Sequence, residues 1–241
     1  MRTSLTPRRA MDKRSLGRGT KALLMCGVAY SLSFVGFSDL LAGLLYGGYD
    51  HLDQTISELS ATGASTRPLL TALGPIWSGL LIAFGIGVLR AANGNRPLRV
   101  TGGLLIAHGV VSVQWFWFPM TARDDIISGS TRWNDAGHLA LIAWSGLFAL
   151  AEIGCGAAAF KWPFRVYSIV TVVTALVFGA LTSTQAANLV EGESTPLMGV
   201  YERVSVGAWL LWIALLSVIL LRDRDHPAVH APDTRSSRST S

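Results

Sequence analysis

Residues Val204–Leu221, VSVGAWLLWIALLSVILL, carry no charged side chain. The run is close to the roughly 20 residues that a helix needs to cross a hydrocarbon layer about 30 Å thick. It lacks the strict apolar–polar alternation of a half-buried strand. A backbone in lipid must satisfy its own N–H and C=O groups, which leaves helices or closed barrels, and a continuous apolar run favours a helix.

Further runs of this kind are found outward from that stretch. They cover about Ala22–Tyr46, Pro68–Leu89, Val100–Phe118 and Gly137–Phe160, and a fifth follows the turn Lys161–Arg165 and ends near Ala186. With Val200–Leu221 as the last, the sequence predicts an all-α polytopic membrane protein, a bundle of six transmembrane helices over residues 22–221. Composition agrees, since 50% of residues are hydrophobic and 15% are charged, against about 25% charged in soluble domains. The first run follows a basic arm as a signal peptide would, but it is too long for a 7–15-residue apolar core and reads as an uncleaved helix. Residues 1–21 read as a disordered basic cytoplasmic arm and 222–241 as a disordered, Arg- and Ser-rich cytoplasmic tail. Cys26 and Cys155 lie inside apolar runs without CxxC spacing, as small buried hydrophobes do.

The placement of charge predicts the orientation. Of the 20 Lys and Arg residues, 16 fall in the N-terminal arm, the turn around Arg90–Arg99, the turn Lys161–Arg165 and the tail. Arg67, Arg123, Arg132 and Arg203 fall on the other side. The positive-inside rule then places both ends in the cytoplasm of a multi-pass cell-membrane protein. The aromatic run Trp115–Phe118 sits at the expected outer boundary of the third helix, where an aromatic belt belongs. The basic pI of about 9.6 is accounted for by this sorting, so nucleic acid is not an expected partner. The lipid bilayer is one, and a second copy of the chain is a candidate.

Acidic residues sort the opposite way. Nine of fifteen lie on the outer side, which gives that face about five net negative charges against its four arginines. Such a face attracts cations or the cationic part of a ligand. Ionisable groups within the membrane cost a few kcal/mol each and point to sites. Asp39, His108, His138, Glu152, Glu202 and Arg203 are the candidates. Asp39 is expected to pair with Arg203, and His108 to hydrogen bond across helices. Glu152 is expected to snorkel or to pair with Lys161 or Arg165. His138 is expected in the first turn of the fourth helix, directly after the acid-rich loop TARDDIISGSTRWNDAGH.

The first outer segment, YDHLDQTISELSATGAST, contains Thr55 with Glu58 three residues on, the pattern of a capping box. A short helix closed by Gly63 follows from it, with Ile56 and Leu59 toward the bundle and Gln54 and Glu58 sharing another face. Such a helix reads as a lid over the outer opening. The sequence has no HExxH, phosphate-binding loop, dinucleotide fingerprint or GxSxG.

Three segments carry a family resemblance: QTISELSATGASTRPLL before the second helix, FPMTARDD…GH between the third and fourth, and YER opening the sixth. Together they resemble the domain of unknown function 998 family, six-helix membrane proteins of bacteria and archaea, over roughly residues 22–221. The resemblance singles out Glu58, Pro119, Asp124 or Asp125, and His138. It implies a topology and a choice of residues but no chemistry, because the family has no established activity.

The outer-side polar cluster Asp39, Gln54, Glu58, Asp124, Asp125, His138, Glu202 and Arg203 is the expected site. In the leading reading it binds or transports a small polar ligand, an ion or a lipid headgroup. In the alternative, His138, Asp124 and Glu58 hold a divalent metal that activates water in an intramembrane hydrolase acting on lipid or amide bonds. A structural or accessory membrane protein is the third class. Three ligands around one point would favour the metal, and a polar route from Asp39 past His108 to Glu152 would favour transport.

Overall fold

The computed structural model describes residues 16–130 and 133–222. Residues 1–15 of the expected arm, Arg132 and residues 223–241 of the expected tail lie outside these residues, whereas residues 18–21, expected in the disordered arm, are helical. The described residues are helical, with no strand among them. Seven α-helices follow in order: α1 (Arg18–Leu45, with a π-helical stretch Phe34–Leu41), α2 (Arg67–Ala91), α3 (Arg96–Ser112), short α4 (Arg123–Ile127), α5 (Trp133–Ala158), α6 (Trp162–Val190) and α7 (Met198–Arg222). Five of them, α1, α2, α5, α6 and α7, are long and apolar enough to cross a membrane. Helix α3 has 17 residues and continues as the 3-10 turn Val113–Phe116.

The boundaries follow local chemistry. Helix α3 starts where the Asn95 side chain accepts the Leu98 N–H at 3.1 Å, with a proline in the first turn. Helix α5 begins at Trp133, earlier than the glycine at 137 suggested, so His138 occupies its second turn rather than its first. Asn134 and Asp135 support this earlier turn, because their side chains grip the preceding loop at Pro119 and Thr121. The π-helical stretch of α1 carries Asp39. Such stretches are rare, and they change the direction in which side chains leave the helix.

The long helices pack as a closed ring in the order α1, α2, α3, α5, α6, α7 and back to α1. The contact between α5 and α6 is the sparsest around the ring. Close approach of α2 and α3 requires glycine, since a Cβ on Gly85 would meet the Gly102 carbonyl oxygen at 2.8 Å. Trp212, Phe84, Leu24, Leu81, Leu105 and Ile213 fill the centre without exposure. The outward faces are apolar instead of polar: Leu44 is 81% exposed, Trp162 70% and Leu32 68%. A soluble protein rarely shows so much contiguous apolar surface, whereas a bundle in lipid requires it.

Candidate functional site

At one end of the ring, the segment between α1 and α2, the loop around α4 and the start of α7 lock together. Thr55–Glu58 forms the expected capping box, with the Thr55 N–H donating to Glu58 Oε1 at 3.0 Å, and opens a 3-10 helix, Ile56–Ser60. Gly63, at φ +83°, follows it in the left-handed region that favours glycine. Leu59 is fully buried beneath, as the amphipathic spacing predicts. Gln54 lies before the 3-10 helix rather than on a face of it, and its Nε2 donates to Glu58 Oε2 at 3.0 Å.

Glu58 is buried at 4% exposure, and its charge is answered by Arg123. Arg123 Nε reaches Oε2 and Nη2 reaches Oε1, each at 2.8 Å, a bidentate fork. The same guanidinium donates to Thr195 Oγ1 at 2.9 Å and to the Asp53 carbonyl at 3.1 Å, so one side chain ties its own segment to two others. Burial alone would raise the Glu58 carboxyl. The Arg123 fork, the Thr55 N–H and the Gln54 amide outweigh it, and the Glu58 pKa lies below its ordinary value. The hydrogen bonds to Glu58 hold Arg123 above its own ordinary value.

A second latch lies beside the first. Arg203, in the first turns of α7, donates through Nε to Asp39 Oδ1 at 3.0 Å, which is the pairing expected from sequence. Its Nη1 donates to the His51 and Gln54 carbonyls at 2.8 and 2.9 Å, and its Nη2 to the Tyr49 hydroxyl at 2.6 Å. Glu202 accepts from the Ile56 N–H in a short contact and from Ser57 Oγ at 3.2 Å, so it closes the exposed start of the 3-10 helix. A Cβ on Gly199 would meet the Gln54 carbonyl at 2.2 Å, and only glycine lets α7 come this close.

The loop after α3 is clamped by the start of α5. The Asn134 amide donates to the Pro119 carbonyl, and Asp135 accepts from the Thr121 N–H and hydroxyl at 2.9 and 2.8 Å. His138 is 5% exposed, with Nδ1 at 3.0 Å from the Phe118 carbonyl, so that nitrogen donates and Nε2 carries the lone pair. Among the described residues that buried Nε2 has no hydrogen-bond partner. Asp124 and Asp125 sit in the first turn of α4 beside Arg123, with Asp124 exposed. Glu58, Asp124 and His138 are therefore not gathered around one point. Among the described residues no group of three His, Cys, Asp or Glu side chains is placed to hold a metal ion.

Deeper in the ring lies a separate polar centre. Glu152 on α5 has no exposure, and its two oxygens contact different helices. Oε1 is 3.0 Å from His108 Nδ1 on α3, and Oε2 accepts from Trp209 Nε1 on α7 at 2.9 Å. Phe148 stacks on the His108 ring at 5.2 Å, and Tyr30 meets Trp209 edge-on at 5.7 Å. The cross-helix bond of His108 agrees with expectation. The pairing of Glu152 with Lys161 or Arg165 is not found: Arg165 instead donates to the Phe160, Ala157 and Ala158 carbonyls at the end of α5. Those orphan carbonyls attract the guanidinium more cheaply than a carboxylate two turns up the helix.

The structure thus joins Asp39, Gln54, Glu58, Glu202 and Arg203 in one network and leaves Asp124, Asp125 and His138 at its edge. Sequence reasoning missed Arg123, Tyr49 and Thr195 as members and Trp209 as the partner of Glu152. Arg123 was legible in principle as the basic residue inside FPMTARDD, a segment already singled out.

No curated protein and no solved structure shows significant similarity to the chain. All three resemblance segments, ISEL, FPMTARDD…GH and YER, meet at this one end of the bundle. Residues 25–219 match the family described as protein of unknown function (DUF998), and the chain belongs to that family.

Proposed function

We propose that the chain crosses the membrane six times with both ends in the cytoplasm, and that it binds and transports a small polar or ionic ligand. In this reading α3, with its 3-10 extension, is the sixth crossing, and the latched end faces outward. The bias of 16 in 20 basic residues to the opposite side supports the orientation.

The observation that carries the transport reading is Glu152, a carboxyl group with no exposure at the centre of an apolar ring, held by His108 and Trp209 on two other helices. A carboxylate there costs several kcal/mol, and a purely structural contact would be made more cheaply by apolar packing. Above it, Asp39–Arg203 and Glu58–Arg123 each tie two elements that must separate for the centre to open outward. Ion pairs of this kind close a path reversibly, which tight apolar packing does less readily. In this reading the closed state is the one with both latches made and the His108–Glu152 centre buried beneath them.

A proteoliposome assay tests it. Radiolabelled choline, ethanolamine, glycine betaine and sodium are added outside in turn, and the label retained inside is counted. The reading predicts that one class is taken up by the wild type and not by Glu152→Gln. Indifference of the wild type to every class, or equal flux in Glu152→Gln, contradicts it.

A further inference from the structure

The opposite end of the ring holds a cavity of about 640 Å3 between the α2–α3 turn, the α5–α6 turn and the end of α7. Leu98, Phe160 and Ile219 line it with apolar surface, and Lys161 and Arg165 stand on its rim. Arg165 is pinned there by its bonds to the Phe160, Ala157 and Ala158 carbonyls at 2.9, 3.3 and 3.3 Å, so its positive charge is fixed in place. The first turn of α6 opens at the same rim with no side-chain cap.

Among the described residues the charge around this end is of one sign. Arg18, Lys21, Arg90, Arg96, Arg99, Lys161, Arg165 and Arg222 lie at it, and among the described residues no Asp or Glu does. A bias in loop charge explains basic residues at this end, but it does not explain an apolar-lined hollow beneath two of them. The hollow also lies at helix ends, the depth at which a lipid headgroup meets its glycerol and first acyl carbons.

We propose that this cavity is a binding site for an anionic phospholipid, with the phosphate held by Lys161 and Arg165 and the upper acyl chain lying against Leu98, Phe160 and Ile219. Basic pockets between helices on the cytoplasmic side are suited to acidic headgroups. A free phosphate would use the rim and leave the apolar wall unused, so the combination selects lipid. The site is independent of the transport centre, and only its assignment to the inner leaflet rests on the orientation proposed above.

Native mass spectrometry of the full-length chain in detergent tests the site with three probes: phosphatidylglycerol, phosphatidylcholine of the same acyl chains, and inorganic phosphate. The wild type retains phosphatidylglycerol in preference to phosphatidylcholine, and inorganic phosphate does not displace it. Lys161→Gln lowers its occupancy about fivefold, the effect of one interfacial charge, and Ile219→Trp lowers it by filling the hollow. Arg90→Gln, at the same end but off the rim, leaves it within about twofold, since a diffuse field changes little on loss of one of eight charges. No headgroup preference, equal losses in Lys161→Gln and Arg90→Gln, or displacement by inorganic phosphate would each overturn the proposal. Lys161 is exposed, so its variant reports on binding even where Ile219→Trp fails to fold.

Discussion

Arg123 grips both carboxylate oxygens of Glu58 at 2.8 Å from a position 65 residues later in the chain. Glu58 sits at 4% exposure, so the fork answers a charge that water cannot reach. Removing one partner of such a pair leaves the other buried and uncompensated. Arg123→Ala is expected to cost about 3 kcal/mol of stability, while Arg123→Lys, which keeps the charge and loses the fork, costs about half as much. Unfolding in detergent checks both, and equal stability of Arg123→Ala and wild type would show that the latch carries no load.

The same carboxyl sets an acid limit. Its pKa in the folded chain lies below the ordinary value of 4.5. A depressed carboxyl contributes stability that is fully present above its unfolded pKa and lost as pH falls through the folded one. Melting temperature should therefore decline below about pH 4.5 in the wild type and decline less in Glu58→Gln, whose absolute stability is lower at neutral pH. Parallel acid profiles for the two proteins would remove Glu58 from the account.

Glycines in α7 differ sharply in what they permit. A Cβ at Gly199 would lie 2.2 Å from the Gln54 carbonyl and 2.6 Å from the His51 carbonyl, while one at Gly207 meets nothing within 4 Å. Gly207→Ala is expected to be neutral or slightly stabilising, because alanine is the better helix former by about 1 kcal/mol. Gly199→Ala pushes α7 off the latch segment and should destabilise by about 1–3 kcal/mol, as overpacking does. Equal melting temperatures for the two variants would mean that the close approach is not maintained in the membrane.

In the buried centre, Trp209 supplies the N–H for Glu152 Oε2 at 2.9 Å. Trp209→Phe keeps an aromatic ring and removes that donor, at an expected cost of about 1–3 kcal/mol for an unsatisfied buried acceptor. Glu152→Gln retains an acceptor for Trp209 and should remain folded, which makes it usable in flux assays. Aggregation of Glu152→Gln under conditions where Trp209→Phe is stable would reverse this ranking.

Much of the fold was legible because lipid leaves the chain few choices. The apolar runs place the long helices to within a few residues, and the exposed Leu44, Leu32 and Trp162 are what such runs imply. The Thr55–Glu58 capping box and the Asp39–Arg203 pair were also readable, one from a local pattern and the other from matched depth on two helices. The partner of Glu58 was not, because Arg123 opens α4 after a loop whose position depends on Asp135 and Thr62 contacts that no spacing encodes. Glu152 was placed with the nearest bases in sequence, yet its partners come from α3 and α7. Ring order, the property that brings those helices together, has no signature in one sequence.

Whether the two latches form a gate above the buried centre is tested most directly by cysteine accessibility. Ser33 accepts from Trp77 Nε1 at 3.2 Å and lies about 9 Å along α1 from Asp39, on the inner side of the latch. Cells expressing Ser33→Cys, with Cys26 and Cys155 replaced by alanine, are treated from outside with a membrane-impermeant maleimide. The account predicts slow labelling with the latches intact. Adding Asp39→Asn and Glu58→Gln should raise the rate on the order of tenfold, the effect of shifting the gate by about 1.4 kcal/mol. An unchanged rate in a folded double-latch variant would mean that these ion pairs do not close a path, and that the outer network only holds the bundle together.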